Sequence, residues 1–280
     1  MNYLFRNSRI KLSQGLLFWR EIGQGTSVIF LHGSWNDGSQ WVSLMEYLAK
    51  DMQCVAPDLF GFGESEYPDL HYSIDLQLEC LSEFLQALKL DRVVLVGDSL
   101  GAWIAASYAC KYPQNVSGLV LLSPSGVETE HWERQCHQMQ SLIERSPLVF
   151  GLMRIFKPLL RLFGSEVDIG ADLRQKQIME GYPVATQILF KRQTSEILAE
   201  TLNQYLPALE VPTLVLQGGK DEAETIDRSR TFSRLAARSN LKMIAHAGND
   251  LTSSCTGLLA EEIREFMTQK NLQHTQVQRH

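Results

Sequence analysis

A serine hydroxyl is a poor nucleophile unless it is held in the open beside a base. One serine of this chain has the surroundings that would expose it. The β-branched apolar run Val93-Val94-Leu95-Val96 leads into Gly97-Asp98-Ser99-Leu100-Gly101, and an apolar stretch of helical character follows. Strand, sharp turn and helix is the context that makes a G-x-S-x-G pattern a nucleophile elbow. So tight a turn demands very small residues two places before and two places after the nucleophile. Ser99 has Gly97 and Gly101 there, whereas Asp98 in the same role would have Val96 and Leu100. Ser99 is therefore the candidate nucleophile. The competing reading, an ordinary Gly-rich loop, is disfavoured by the flanking strand and helix patterns.

Short apolar runs alternate with helical patterns along the chain, which predicts a mostly parallel sheet flanked by helices. Strands are expected at Leu16–Arg20, after the segment Arg9–Leu12 and a turn at Gly15, and at Val28–Leu31, Cys54–Ala56, Val93–Val96, Leu119–Leu122, Thr213–Leu216 and Leu241–Ile244. Ser73–Leu90 reads as a helix, with Ile74, Leu78, Leu81, Leu85 and Leu88 at helical spacing and Ser73 as its cap. In the helix after Ser99, Gly101, Ala105 and Ala109 share one face and allow close approach to the sheet. A last helix is expected near Leu258–Met267, before a polar tail.

With 280 residues the chain can form one large domain carrying an insertion. A net charge of −6 and a pI near 5.7 argue against a nucleic-acid partner. The five cysteines are widely spaced and lack metal-ligand pairing, so they read as buried thiols in a reducing compartment. There is no leader pattern and no apolar run of bilayer length, so the expected location is the cytoplasm.

Together these residues resemble the α/β-hydrolase fold proteins, from about Leu12 to Met267. Leu31-His32-Gly33-Ser34-Trp35 is similar to the family's His-Gly loop, and Asp58-Leu59-Phe60-Gly61-Phe62-Gly63-Glu64-Ser65 to its D-x-x-G-x-G-x-S turn. The elbow at Ser99 and the strand and loop Pro212–Asp221 follow in family order. The resemblance implies a hydrolase core of residues 1–125 and 208–270, an inserted helical lid of residues 126–207, and a polar C-terminal tail, 271–280. It also implies an oxyanion hole made by the N–H groups of Leu100 and Ser34, with Trp35 as a pocket wall or alternative donor. His32 would brace its loop, and the turn from Asp58 to Ser65 would be architectural. Asp221 falls where the triad acid belongs, with Glu128 the second choice.

At the triad histidine the pattern breaks. Relatives carry Ala-Gly-His or similar after the last strand, whereas Ala247-Gly248-Asn249 puts Asn249 there. An amide donates and accepts hydrogen bonds but is no base near neutral pH. Losing the histidine of such a triad costs on the order of a million-fold in turnover. Three readings stay open: His246 acts as the base, a lid histidine (His131 or His137) does, or Asn249 leaves the protein weak or silent. In the register expected here, Asn249 lies within hydrogen-bonding reach of Ser99, Asp221 or a bridging water.

The stretch between Ser123 and Thr213, about ninety residues, is far longer than an ordinary connection. Leu148, Leu152, Ile155, Leu159, Leu162 and Phe163 make it apolar, with Arg154, Lys157 and Arg161 on another side and Pro158 as a kink. That composition fits a lid over an apolar substrate and is compatible with transient contact at a membrane surface. The expected activity is that of a serine esterase-type hydrolase acting on a carboxylic ester or thioester with an apolar acyl group. No metal and no organic cofactor is expected. Two alternatives remain: a silent hydrolase fold that binds a small apolar ligand or partner, and a cofactor-independent lyase or transferase on the same fold.

Overall fold

The computed structural model describes residues 4–146, 148–150 and 168–277, with side chains to residue 269. Eight strands form one sheet: β1 (Arg6–Lys11), β2 (Leu16–Ile22), β3 (Thr26–Leu31), β4 (Met52–Pro57), β5 (Val93–Asp98), β6 (Val116–Leu122), β7 (Thr213–Gly218) and β8 (Ser239–Ile244). Their order is β1-β2-β4-β3-β5-β6-β7-β8. The β1/β2 and β2/β4 pairs are antiparallel and all other pairs parallel. Every strand expected from the sequence is present, most extended by a residue or two.

The parallel strands are apolar on both sides because helices cover both faces. Alternation along β5 sends Val93 and Leu95 into one core, and Val94 and Val96 into the other. Among the described residues the α-helices longer than four residues are α1 (Val42–Leu48), α2 (Ile74–Ala87), α3 (Leu100–Lys111), α4 (Trp132–Glu144), α5 (Ile169–Gly181), α6 (Thr194–Ala199), α7 (Ala223–Leu235) and α8 (Thr256–Val277). Helices α2 and α3 pack in the first core, and α1 and α8 in the second. Ser73 caps α2 as expected, its hydroxyl accepting from Leu76 N–H at 3.1 Å. The last helix is longer than its apolar pattern announced. It runs to Val277, through most of the stretch expected to be a tail.

Helices α4, α5 and α6 lie between β6 and β7. Leu142, Phe150, Ile169 and Met179 form a small apolar cluster of their own there. Of the apolar and basic run read from the sequence, Leu148 is 80% exposed. Leu152, Arg154, Ile155, Lys157, Pro158, Leu159, Arg161, Leu162 and Phe163 lie outside the described residues.

The strand order locates a site. From β3 the chain crosses to β4 on one side, and later elements continue from β5 on the other. The carboxyl ends of β3 and β5 are therefore a topological switch point, where open α/β sheets bind ligands. His32–Ser34 and Ser99 follow these two strands.

Candidate active site

Ser99 has φ 49° and ψ −107°, a positive φ that a non-glycine residue adopts only under strain. Two glycines make this turn sterically feasible. A Cβ on Gly97 would lie 2.5 Å from the Gly101 carbonyl oxygen, and one on Gly101 would lie 2.2 Å from that of Leu31. Neither position tolerates a side chain, so β5, the turn and α3 meet at van der Waals limits. The Ser99 N–H donates to the Leu122 carbonyl at 2.9 Å, which ties the turn to the end of β6.

Around the Ser99 hydroxyl stand two others. Its Oγ lies 3.3 Å from Ser34 Oγ and 3.1 Å from Ser125 Oγ. Ser125 N–H also donates to the Ser99 carbonyl at 3.1 Å. The N–H groups of Ser34 and Leu100 have no acceptor among the described residues; that of Leu100 opens a helix, where the dipole favours negative charge. Trp35 packs against Tyr182 of the inserted segment, with ring centroids 6.1 Å apart, and joins the sheet-side core to the inserted helices' cluster.

The neighbouring loops are braced by buried polar groups. His32 is fully buried, with Nδ1 2.9 Å from the Gly33 carbonyl and Nε2 accepting from Leu59 N–H at 2.9 Å. Burial lowers its pKa and favours the neutral ring that this pairing requires. Asp58 accepts from Arg20 Nη1 and Gly38 N–H at 2.8 Å each, and from Glu64 N–H at 2.7 Å. These bonds make His32 and the Asp58–Ser65 turn structural.

Asp221 lies beyond β7, as the sequence placed it. Its Oδ2 accepts from Gln217 Nε2 at 3.0 Å and from Ser123 Oγ at 3.5 Å, and its Oδ1 from Glu222 N–H at 2.8 Å. Backbone bonds join this loop to the one after β8: Gly219 N–H to the Ile244 carbonyl and Lys220 N–H to that of Ala247, both 2.9 Å. Asn249 follows two residues later. Asn249 is exposed and makes no hydrogen bond to Ser99 or Asp221 among the described residues. The Asp221 carboxylate has neutral donors on both oxygens. His246 is also exposed, and no histidine bonds to Ser99 or Asp221 among the described residues. His131 and His137 are exposed on the inserted segment. Glu128 is committed elsewhere, accepting from Thr201 Oγ1 while its backbone pairs with the Asn203 amide.

Several neighbours of this site were not anticipated. Ser125 follows β6 in Ser123-Pro124-Ser125-Gly126, and its place at a strand's carboxyl end was the only signal. Gln40 and Gln217 carry no motif at all.

The comparisons support the α/β-hydrolase superfamily for this chain. Residues 26–142 match the family model described as alpha/beta hydrolase fold. Monoacylglycerol lipase ABHD6 of Bos taurus is 24% identical over 259 residues, 88% of this chain and 76% of that protein. The 2-hydroxy-6-oxo-2,4-heptadienoate hydrolase of Pseudomonas putida is 27% identical over 237 residues, 82% of this chain and 84% of that one. Among solved structures, a putative lipase from Acinetobacter baumannii has a TM-score of 0.74 at 20% identity, covering 96% of this chain and 93% of its own. A meta-cleavage product hydrolase from Pseudomonas fluorescens has a TM-score of 0.71 at 21% identity, covering 94% and 97%. The structural likenesses establish the fold. The relatives named here are hydrolases.

Proposed function

We propose that this protein is a serine-nucleophile hydrolase of carboxylic esters or thioesters with apolar acyl groups, slowed by the asparagine at its base position. The observation that carries the reading is the backbone at Ser99, strained at φ 49° and wedged between two glycines whose Cβ positions are filled. Strain of this kind costs about 1–3 kcal/mol, persists only where the surrounding structure over-determines it, and clusters at active sites. In the reaction, Ser99 Oγ bonds to the acyl carbon while the carbonyl oxygen gains charge, and the N–H groups of Ser34 and Leu100 receive that charge. The alcohol or thiol then leaves with the proton that the Ser99 hydroxyl gave up, and water adds to the acyl carbon, returning a proton to Ser99 Oγ as the acid is released. Residues 126–207 act as the lid, and Trp35 stands between lid and core as a pocket wall. The apolar character of the lid and the lipase among the relatives support an apolar acyl group.

A second reading has its own observation: no imidazole bonds to Ser99 or Asp221 among the described residues. A hydrolase fold with this site intact but without a base would bind an apolar ligand or partner and not turn it over. Covalent labelling by a fluorophosphonate tests the nucleophile. The chain should label, and Ser99→Ala should not; label that persists in Ser99→Ala would move the nucleophile elsewhere.

A further inference from the structure

The sheet alone does not align the two loops of this site. The last pair of the β3/β5 ladder is Leu31 with Gly97, two residues short of Gly33 and of Ser99. Beyond it the contact passes through side chains. Gly33 N–H donates to Gln40 Oε1 at 2.9 Å, and Gln40 Nε2 donates to Asp98 Oδ2 at 2.7 Å. A carboxylate only accepts and a backbone N–H only donates, so these two partners fix the orientation of the amide between them. Gln40 is itself held on the single 3₁₀ turn Gly38–Trp41, which Asp37 caps by accepting from Ser39 N–H at 2.7 Å.

The loop backbone also rests on the carboxylate, since a Cβ on Gly33 would lie 2.6 Å from Asp98 Oδ2. One consequence bears on the chemistry. The bridge consumes the Gly33 N–H; the next one, that of Ser34, has no acceptor among the described residues, and Ser34 Oγ lies 3.3 Å from Ser99 Oγ. We propose that Asp98 is a positioning residue which, through Gln40, holds the His-Gly loop where the Ser34 N–H faces the reacting centre at Ser99. This inference rests on the reading of Ser99 as nucleophile and Ser34 as oxyanion donor.

Two measurements on the full chain test it, one independent of reactivity. Hydrogen exchange at the Gly33–Ser34 amides reads the bridge directly. Fluorophosphonate labelling of Ser99, resolved into a maximal rate and a half-saturating concentration, reads the oxyanion geometry. Asp98→Ala should speed exchange at Gly33 by at least about tenfold. It should also slow maximal labelling by about tenfold or more, with half-saturation within about twofold. Asp98→Asn, whose amide oxygen can still accept from Gln40, should stay within about threefold of the native chain in both. If Asp98→Ala does not fold, Gln40→Ala removes the middle of the bridge and should give the same pair of effects.

Unchanged exchange and labelling in the alanine variants would overturn the proposal while leaving Ser99 as nucleophile. Asp98→Asn as impaired as Asp98→Ala would also overturn it, because the charge and not the bridge would then matter. Faster exchange as expected, with no labelling of Ser99 in the native chain or in Asn249→His, would support the bridge and sink the nucleophile.

Discussion

Asp98 is the residue whose environment conflicts most with its chemistry. Its carboxylate is enclosed beside Gln40 and Gly33, and that burial, with Gln40 opposing it and the charge of Asp221 adding to it, pushes the pKa from 3.8 up to about 6. The folded chain thus holds this proton more tightly than the unfolded chain does. Stability conferred by the protonated carboxyl falls as pH rises from about 4 to about 6, and the cost is fully present above that. At about 1.4 kcal/mol per pKa unit the cost reaches about 3 kcal/mol. Asp98→Asn, which keeps an acceptor for Gln40, should therefore be more stable than the native chain to urea at about pH 8, with the gap closing by about pH 4. A gap that stays constant across that range would contradict the burial account. Asn249 teaches a different lesson at this scale. Its position after β8 was legible from the Ala-Gly lead-in, but its side-chain partners were not. Register depends on chain spacing, whereas the bond from Ser123 to the Asp221 carboxylate joins segments distant in sequence.

At the scale of elements, the elbow depends on β5 and α3 approaching β3 without side chains between them. Gly101→Ala would force a methyl group against the Leu31 carbonyl, which cannot yield without moving the central ladder. Overpacking of this kind costs roughly 1–3 kcal/mol, which in a domain of this size is a fall of roughly 2–12 °C in Tm. Loss of Ser99 labelling should accompany it. Gly257 is the control: a Cβ there meets nothing within 4 Å, so Gly257→Ala should leave Tm unchanged or slightly raised. A Gly101→Ala protein with native Tm and labelling would contradict the geometry. The same contrast explains what the sequence revealed. Seven of the eight strands and the capped α2 were readable because apolar runs and a capping serine are local signals. The 3₁₀ turn bearing Gln40 and the length of α8 were not. Neither the turn nor the extension of α8 to Val277 is marked by an apolar period.

At the scale of the whole molecule, the two cores on either side of the sheet account for the cysteines. Cys54, Cys80, Cys136 and Cys255 are buried, Cys110 is partly so, and all five are free. Burial pushes the thiols of Cys54 and Cys80 up to about 12, and those of Cys110 and Cys136 up to about 11. The thiolate is the reactive form, so these four should resist a disulfide reagent at about pH 8 until the chain is unfolded. Rapid titration of several thiols in the native protein would show the cores to be looser than described. No helix among the described residues is long and apolar enough to cross a membrane.

The central claim is a built nucleophile that lacks its base, and ester turnover by the native chain beside Asn249→His tests it most directly. General-base catalysis contributes about a hundred-fold or more. The native chain should therefore turn over a medium-chain aryl ester slowly, and Asn249→His should raise kcat by at least about a hundred-fold, a gain abolished by adding Ser99→Ala. Brisk turnover by the native chain that disappears in His246→Ala would contradict the account and hand the base role to His246.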